Sequence, residues 1–214
     1  MAAGRAEGSR RDTAPPITGA VSTVLRTLAL ALTAAALAAP SVADAKRWQG
    51  DPGKVVARAA QACPDADLQP APGNLGRIRA AILCLHNQIR AEHHLPRLRE
   101  NKRLRNAAVG HSRDMVRTHY FEHTSPSGRT MVDRILAARY VRADQGWTLG
   151  ENLEWGTGSL ATPRGAMDAW MRSPGHRSNL LGRSFRELGV GVVIGVPVSD
   201  ATGATYTVDF GTRR

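Results

Sequence analysis

The stretch Trp170-Met-Arg-Ser-Pro-Gly-His-Arg-Ser-Asn179 constrains the fold more than any other in this chain. A residue before proline is pushed out of the helical region. The helix carrying Ala166, Met167, Trp170 and Met171 at helical spacing must therefore end at Ser173. That helix opens at Thr162-Pro163, a hydroxyl cap followed by proline at the first helical position. Trp170 lies on its apolar stripe and is expected in the core. Ser173 is placed to cap a second short helix, with Pro174 first, Gly175 second and His176 third. The positive end of a helix disfavours a protonated imidazole. A neutral histidine at a fixed corner suits a metal ligand or a base, and equally a histidine that only hydrogen-bonds within the turn.

Length and composition set the frame around this corner. The 214 residues, 42% hydrophobic and 22% charged, fit one globular domain with a processed end rather than a disordered chain. Residues 1–45 read as a secretory signal. Arg5, Arg10, Arg11 and Arg26 precede an uncharged apolar run from Thr27 to Ala39, and Ala43-Asp-Ala45 is a small-x-small cleavage site. An uncleaved anchor is the alternative, although the run is short for a membrane span. Four arginines and three acids leave with this segment, so the formal charge falls from +11 to +10. The charge is almost all arginine and is scattered, without a basic run or interleaved aromatics. No nucleic acid is expected as a partner. An anionic envelope polymer, a lipid or a membrane surface suits an exported basic protein better. An ordinary solvated surface suits the same charges. Cys63 and Cys84 are the two cysteines. In an exported chain they imply one disulfide, and a thiolate zinc cluster is excluded.

Residues 46–74, rich in Pro and Ala, read as a lead-in that this disulfide would clip to the domain at 75–214. A short helix is predicted at Val55–Gln61. Asn74 is predicted to cap a long helix with Leu75, Ile78, Ile82, Leu85 and Ile89 on one stripe. His93 and His94 fall at its exit and are expected to be exposed. A second helix spans roughly Asn101 to His119, with His111 on its apolar face as a core or boundary residue. Glu122 to Gly128 reads as a turn, and Thr130 with Asp133 as a capping box. Gly150 to Gly156 suits an extended piece or a tight turn. Leu188 to Val196 and Thr205 to Phe210 read as a hairpin, with the turn at Ser199 to Gly203. Helices followed by a hairpin make the class α+β.

Five motifs in this order resemble the CAP superfamily. That is the SCP-like extracellular domain of cysteine-rich secretory proteins, antigen 5 and pathogenesis-related proteins, here in its bacterial branch. They are Leu85-His-Asn-Gln-Ile-Arg90 with Leu95-Pro-Arg-Leu98; Phe121-Glu-His-Thr-Ser-Pro126; Gly150-Glu-Asn-Leu153; Trp170 with Ser173-Pro-Gly-His176 and Asn179; and Gly189-Val-Gly-Val192 with Asp209-Phe-Gly211. The resemblance covers about residues 78–212. It implies a three-layer α-β-α sandwich around a small antiparallel sheet, with a cleft lined by two histidines and two acids. Carried over by motif, the cleft residues are His123, Glu151 and His176. Ser173 stands where many members carry the second acid, and no motif makes Glu154 its substitute.

Two imidazoles and a carboxylate are donors that suit zinc or another divalent metal, with a water in the fourth place. The resemblance thus implies His123, His176 and Glu151 as a ligand set. It leaves two readings of function. One is a secreted, non-enzymatic binding protein of the extracellular space or envelope. The other is a metal-dependent hydrolase acting on an envelope or extracellular substrate. A catalytic Ser173 would need hydrogen-bond geometry to His176 that adjacency in sequence does not supply.

Overall fold

The computed structural model describes residues 50–214, so the proposed signal segment lies outside the described residues. Local chemistry sets most helix starts. Asp51 accepts from the amides of Gly53 and Lys54 and opens α1 (Pro52–Gln61). Asn101 does the same at Arg103 and Leu104 for α3 (Lys102–Thr118), which His119 ends in the left-handed region. Thr130 and Asp133 form the reciprocal capping box of α4 (Met131–Ala137). Thr162 accepts from Gly165 to open α5 (Pro163–Arg172). At α2 (Leu75–Glu92) the cap differs from expectation. The Asn74 side chain turns back to the preceding loop, accepting from Ala71 N and donating to Gln69 O. Ser173 sits at the start of α6 (Pro174–Leu180) but makes no side-chain cap; only its carbonyl joins, accepting from Arg177 N.

Four strands, β1 (Arg99–Glu100), β2 (Trp147–Thr157), β3 (Glu187–Val196) and β4 (Ser199–Arg213), form one sheet in the order β1-β3-β4-β2. The Gly150–Gly156 stretch is therefore extended, inside the edge strand β2. The hairpin turn is tighter than the composition suggested. It lies at Pro197-Val198, and the Ser199–Gly203 residues expected in a turn belong to β4. The three long strands are antiparallel, and the two-residue β1 adds a parallel edge.

Helices cover both faces, giving the α+β three-layer sandwich. On one side α1, α2, α5 and α6 pack on Leu188, Val190, Val192, Tyr206, Val208 and Phe210 in a single apolar core. Trp170 is fully buried there. The lead-in is part of this core, since Val56, Ala59 and Ala60 of α1 are buried in it. The Cys63–Cys84 disulfide ties α1 to α2. On the other side α3 lies directly on the sheet. A Cβ at Gly189 would stand 2.0 Å from Arg105 N, and one at Gly191 2.3 Å from the Ala108 carbonyl carbon. Only glycine at both positions lets the helix backbone approach so closely.

Candidate functional site

Alternation along β2 builds the site. Glu151 stands opposite Asp209 of β4, toward the α3 layer, and Asn152 points to the opposite layer. Because β2 is an edge strand, groups from both helical layers can meet across it. Glu151 is buried, and both its oxygens are engaged. The His123 Nδ1–H donates to Oε1 at 2.8 Å, and Arg134 Nη2 donates to Oε2 at 2.7 Å. Arg134 also donates to the carbonyls of His123 and Arg129, so one buried guanidinium clamps the histidine loop onto the carboxylate. The His123 ring itself is more than half exposed, with its Nε2 left free of this contact.

His176 reaches the same place from the other layer. Asn152 Nδ2 donates to the His176 carbonyl at 3.0 Å. Asn179 Nδ2, in turn, donates to Glu151 O and to Asn152 Oδ1. Gly150 makes room for this, since a Cβ there would lie 3.1 Å from Asn179 Oδ1 and 2.9 Å from the Phe185 ring. Trp170 Nε1 donates to Leu153 O, so a second side chain occupies the outward edge of β2. Edge carbonyls that would otherwise invite another strand are thereby used to position the corner.

The protonation states diverge. The hydrogen bond to Glu151 raises the His123 pKa above the usual imidazole value, against burial. Burial lowers His176, and the charge on His123 lowers it further. Its neutrality thus comes from burial and its neighbour, where the helix start alone had suggested it. Burial pushes Glu151 up, yet the His123 hydrogen bond and the Arg134 charge bring it below the usual carboxylate range. Asp209 moves the other way. It is fully buried, neither oxygen has a hydrogen-bond partner among the described residues, and burial and then Glu151 hold its pKa well above normal. Two facing carboxyls cannot both ionise cheaply, so the pair keeps one proton, on Asp209.

The structure therefore brings His123 and Glu151 into contact and places His176 within electrostatic reach of His123. Ser173 makes no side-chain hydrogen bond to His176 among the described residues. Glu154 accepts from the amide of Trp155, and among the described residues it makes no hydrogen bond to His123, Glu151 or His176. His111 is buried as expected, its Nε2–H donating to Glu122 O at 3.0 Å. At the exit of α2, His94 is exposed and His93 half-buried. Two residues were missed in the sequence. Arg134 follows the capping acid in a helix turn that reads as surface. Asp209 sits between Val208 and Phe210, whose alternation drew attention to the other face. A carboxylate inside a strand of apolar and hydroxyl residues was the available signal.

Among the described residues no three His, Cys, Asp or Glu side chains form a group that could hold a metal ion. The contacts explain this. Glu151 spends one oxygen on His123 Nδ1–H and the other on a buried guanidinium. Its place in any metal site is then behind His123, orienting the ring, with the two imidazoles as the ligands that remain.

The chain belongs to the Cysteine-rich secretory protein family, CAP, whose profile matches residues 83–209. It is 36% identical over 111 residues to an uncharacterized membrane protein, YlbC, of Bacillus subtilis, covering 52% of this chain and 30% of that one. It is 32% identical over 123 residues to a second uncharacterized protein of that bacterium, YkwD, covering 58% and 45%. The fold matches the crystal structure of an extracellular SCP-domain protein from Bacillus anthracis with a TM-score of 0.52 and 32% identity, over 66% of this chain and 43% of that one. An outer surface protein of Borrelia burgdorferi shares the fold at a TM-score of 0.52 and 21% identity, over 62% and 90%. The chain thus spans less than half the length of the Bacillus relatives. No described helix is long and apolar enough to cross a membrane.

Proposed function

We propose that this CAP domain acts outside the cytoplasm, released or held in the envelope, as a non-enzymatic binding protein. The observation that carries this reading is the commitment of Glu151. Its two oxygens serve Arg134 and His123, so the one ionised carboxylate of the cleft is a structural clamp. The Bacillus anthracis neighbour is described as extracellular, and the proposed signal segment at 1–45 would direct this chain to the same side of a membrane.

Zinc or a similar divalent ion would be held by His123 Nε2 and His176, with Glu151 orienting His123. With one fewer ligand and a guanidinium nearby, such a site binds weakly. The hydrolase reading draws on the same His123–Glu151 pair, since a carboxylate-oriented imidazole is the form a general base takes. The raised pKa of His123 opposes it, because the shift favours the protonated ring, and it weakens metal ligation through Nε2 for the same reason. The test is a screen of ester, peptide and glycan substrates with metal-stripped and zinc-loaded protein, beside a zinc titration. Weak one-to-one binding, lost in His123→Ala and His176→Ala and without turnover, supports the reading. Turnover that disappears in Glu151→Gln overturns it.

A further inference from the structure

The end of the sheet where β3 starts and β4 finishes carries a concentration of arginine that the sequence scatters. Two cavities flank it. One, of about 830 Å³, is lined by Arg103, Arg142 and Arg213, with Leu136 and Tyr140 among its walls. The other, of about 820 Å³, is lined by Arg97, Arg99, Arg186 and again Arg213, with Leu83 and Leu98. Arg213 stands between them and makes them neighbours.

These guanidiniums are held in place with little loss of charge. Arg103 Nη1 donates to the Arg139 carbonyl at 2.7 Å, and Arg186 Nη1 to the Arg183 and Phe185 carbonyls at 2.6 and 2.9 Å. A carbonyl fixes a guanidinium without neutralising it. Arg97, Arg99, Arg103 and Arg186 form no ion pair among the described residues. Glu187 and Asp144 are the acids that engage this region. Glu187 meets Arg213 while also accepting from Asn101 and Tyr140, and Asp144 meets Arg142. The positive field extends inward: burial and then Arg186 bring the pKa of buried Arg90 down to about 10.

We propose that this paired groove binds a linear polymer of phosphate diesters joined by uncharged units. Guanidinium forks match phosphate oxygens in a planar, two-point contact, which favours arginine over lysine at such a site. Two basic grooves sharing one cation suit repeated charges. The apolar walls between them suit neutral linkers. Single-stranded nucleic acid fits less well, because the aromatic ring among the residues lining the two grooves, Tyr140, is buried and covered by Arg213 at 5.0 Å from its centroid. A flat anionic membrane fits less well too. The site is concave, and the exposed large apolar side chains among the described residues, Leu160 and Val198, lie away from it, Val198 in the turn at the far end of the hairpin. The proposal extends the binding-protein reading to a named surface outside the cleft.

The probe is fluorescently labelled poly(glycerol phosphate), titrated with the mature protein in a polarisation assay. Arg97→Gln with Arg142→Gln, one in each groove, should weaken binding about tenfold and flatten its salt dependence, because fewer phosphates are then neutralised. The charge-matched control, Arg58→Gln with Arg113→Gln, lines neither groove and should bind within about twofold of the parent. Equal losses in both double variants would reduce the effect to net charge and overturn the proposal. So would absence of binding, tighter binding to polyglutamate, or tighter binding to phosphatidylglycerol vesicles. His123→Ala with His176→Ala separates the two sites: it removes zinc binding and leaves polymer affinity unchanged if the groove acts alone. Lost polymer affinity in that variant would place the polymer in the cleft and overturn the groove.

Discussion

The two faces of β4 divide the work of this domain. Tyr206, Val208 and Phe210 face α2 and α5 in an apolar core that includes Trp170 and the lead-in helix. Thr205, Thr207 and Asp209, equally buried, face α3. There Ser112 Oγ donates to Thr207 Oγ1 at 2.8 Å, and Asp209 stands beside Glu151. Burial alone thus does not distinguish the faces; what is buried does. Apolar area gives stability wherever it packs, whereas buried polar groups hold only while each keeps its partner. The site has formed on the face where losing one partner unsettles the rest.

That contrast can be broken from either side. Trp170→Ala should have the largest effect, a loss of about 3–5 kcal/mol from the cavity, with the Leu153 carbonyl also left unpaired. Denaturant unfolding measures it, and a loss under about 1 kcal/mol would mean that the apolar layer does not depend on its largest residue. Arg134→Met asks whether a single buried charge on the other face matters as much. Leaving Glu151 without its guanidinium should cost about 3–5 kcal/mol. It should also release residues 123–129, seen as faster amide exchange there. Unchanged exchange would show that Arg134 is not the clamp.

Reducing Cys63–Cys84 should cost about 3 kcal/mol for so short a loop. Because α1 shares the main core, the loss should be global, rather than a loosening of the lead-in alone. Hydrogen exchange of reduced protein distinguishes the two, and selective exposure of residues 50–62 would separate α1 from the core. Asp209→Asn probes the polar face more gently. It removes a carboxyl that has to take up a proton on folding, and should stabilise the protein at neutral pH relative to the parent. Asp209 takes up a proton on folding, so its contribution falls as pH rises above its ordinary value of 3.8; the asparagine variant should lose that dependence.

A pH-dependent effect is shared by the faces. His86, against Trp170 and Phe210, and His111, on α3, are buried with pKa values lowered from 6.5 to about 4. Unfolding lets each take up a proton between those values. Stability is then fully present above pH 6.5 and lost as pH falls toward 4, with a slope approaching about 2.7 kcal/mol per pH unit for two protons. His111→Gln should halve that slope, as followed by thermal unfolding across the window. A flat profile in the parent would mean that neither ring stays neutral.

Much of this was legible in the chain because it is local. Thr162-Pro163, Ser173-Pro174, Thr130 with Asp133, and Asn101 act within a few residues through backbone geometry, and they set the corner and most helix ends. The disulfide was legible because two cysteines allow one pairing. The motifs around His123, Glu151 and His176 named three residues of the candidate site, of which His123 and Glu151 are in contact. Tertiary structure alone decided what those residues do. The family resemblance suggested Glu151 as a ligand, and Arg134, from helix α4, makes it half of a buried ion pair. Alternation in β4 marked one face as core, and α3, resting on Gly189 and Gly191, makes the other face core as well. Asp209 acquires its proton and Arg213 its neighbouring grooves from contacts between segments far apart in sequence. Charge and burial are properties of the assembled surroundings, so the residues can be read along the chain, while their protonation and partners exist only once the layers have closed.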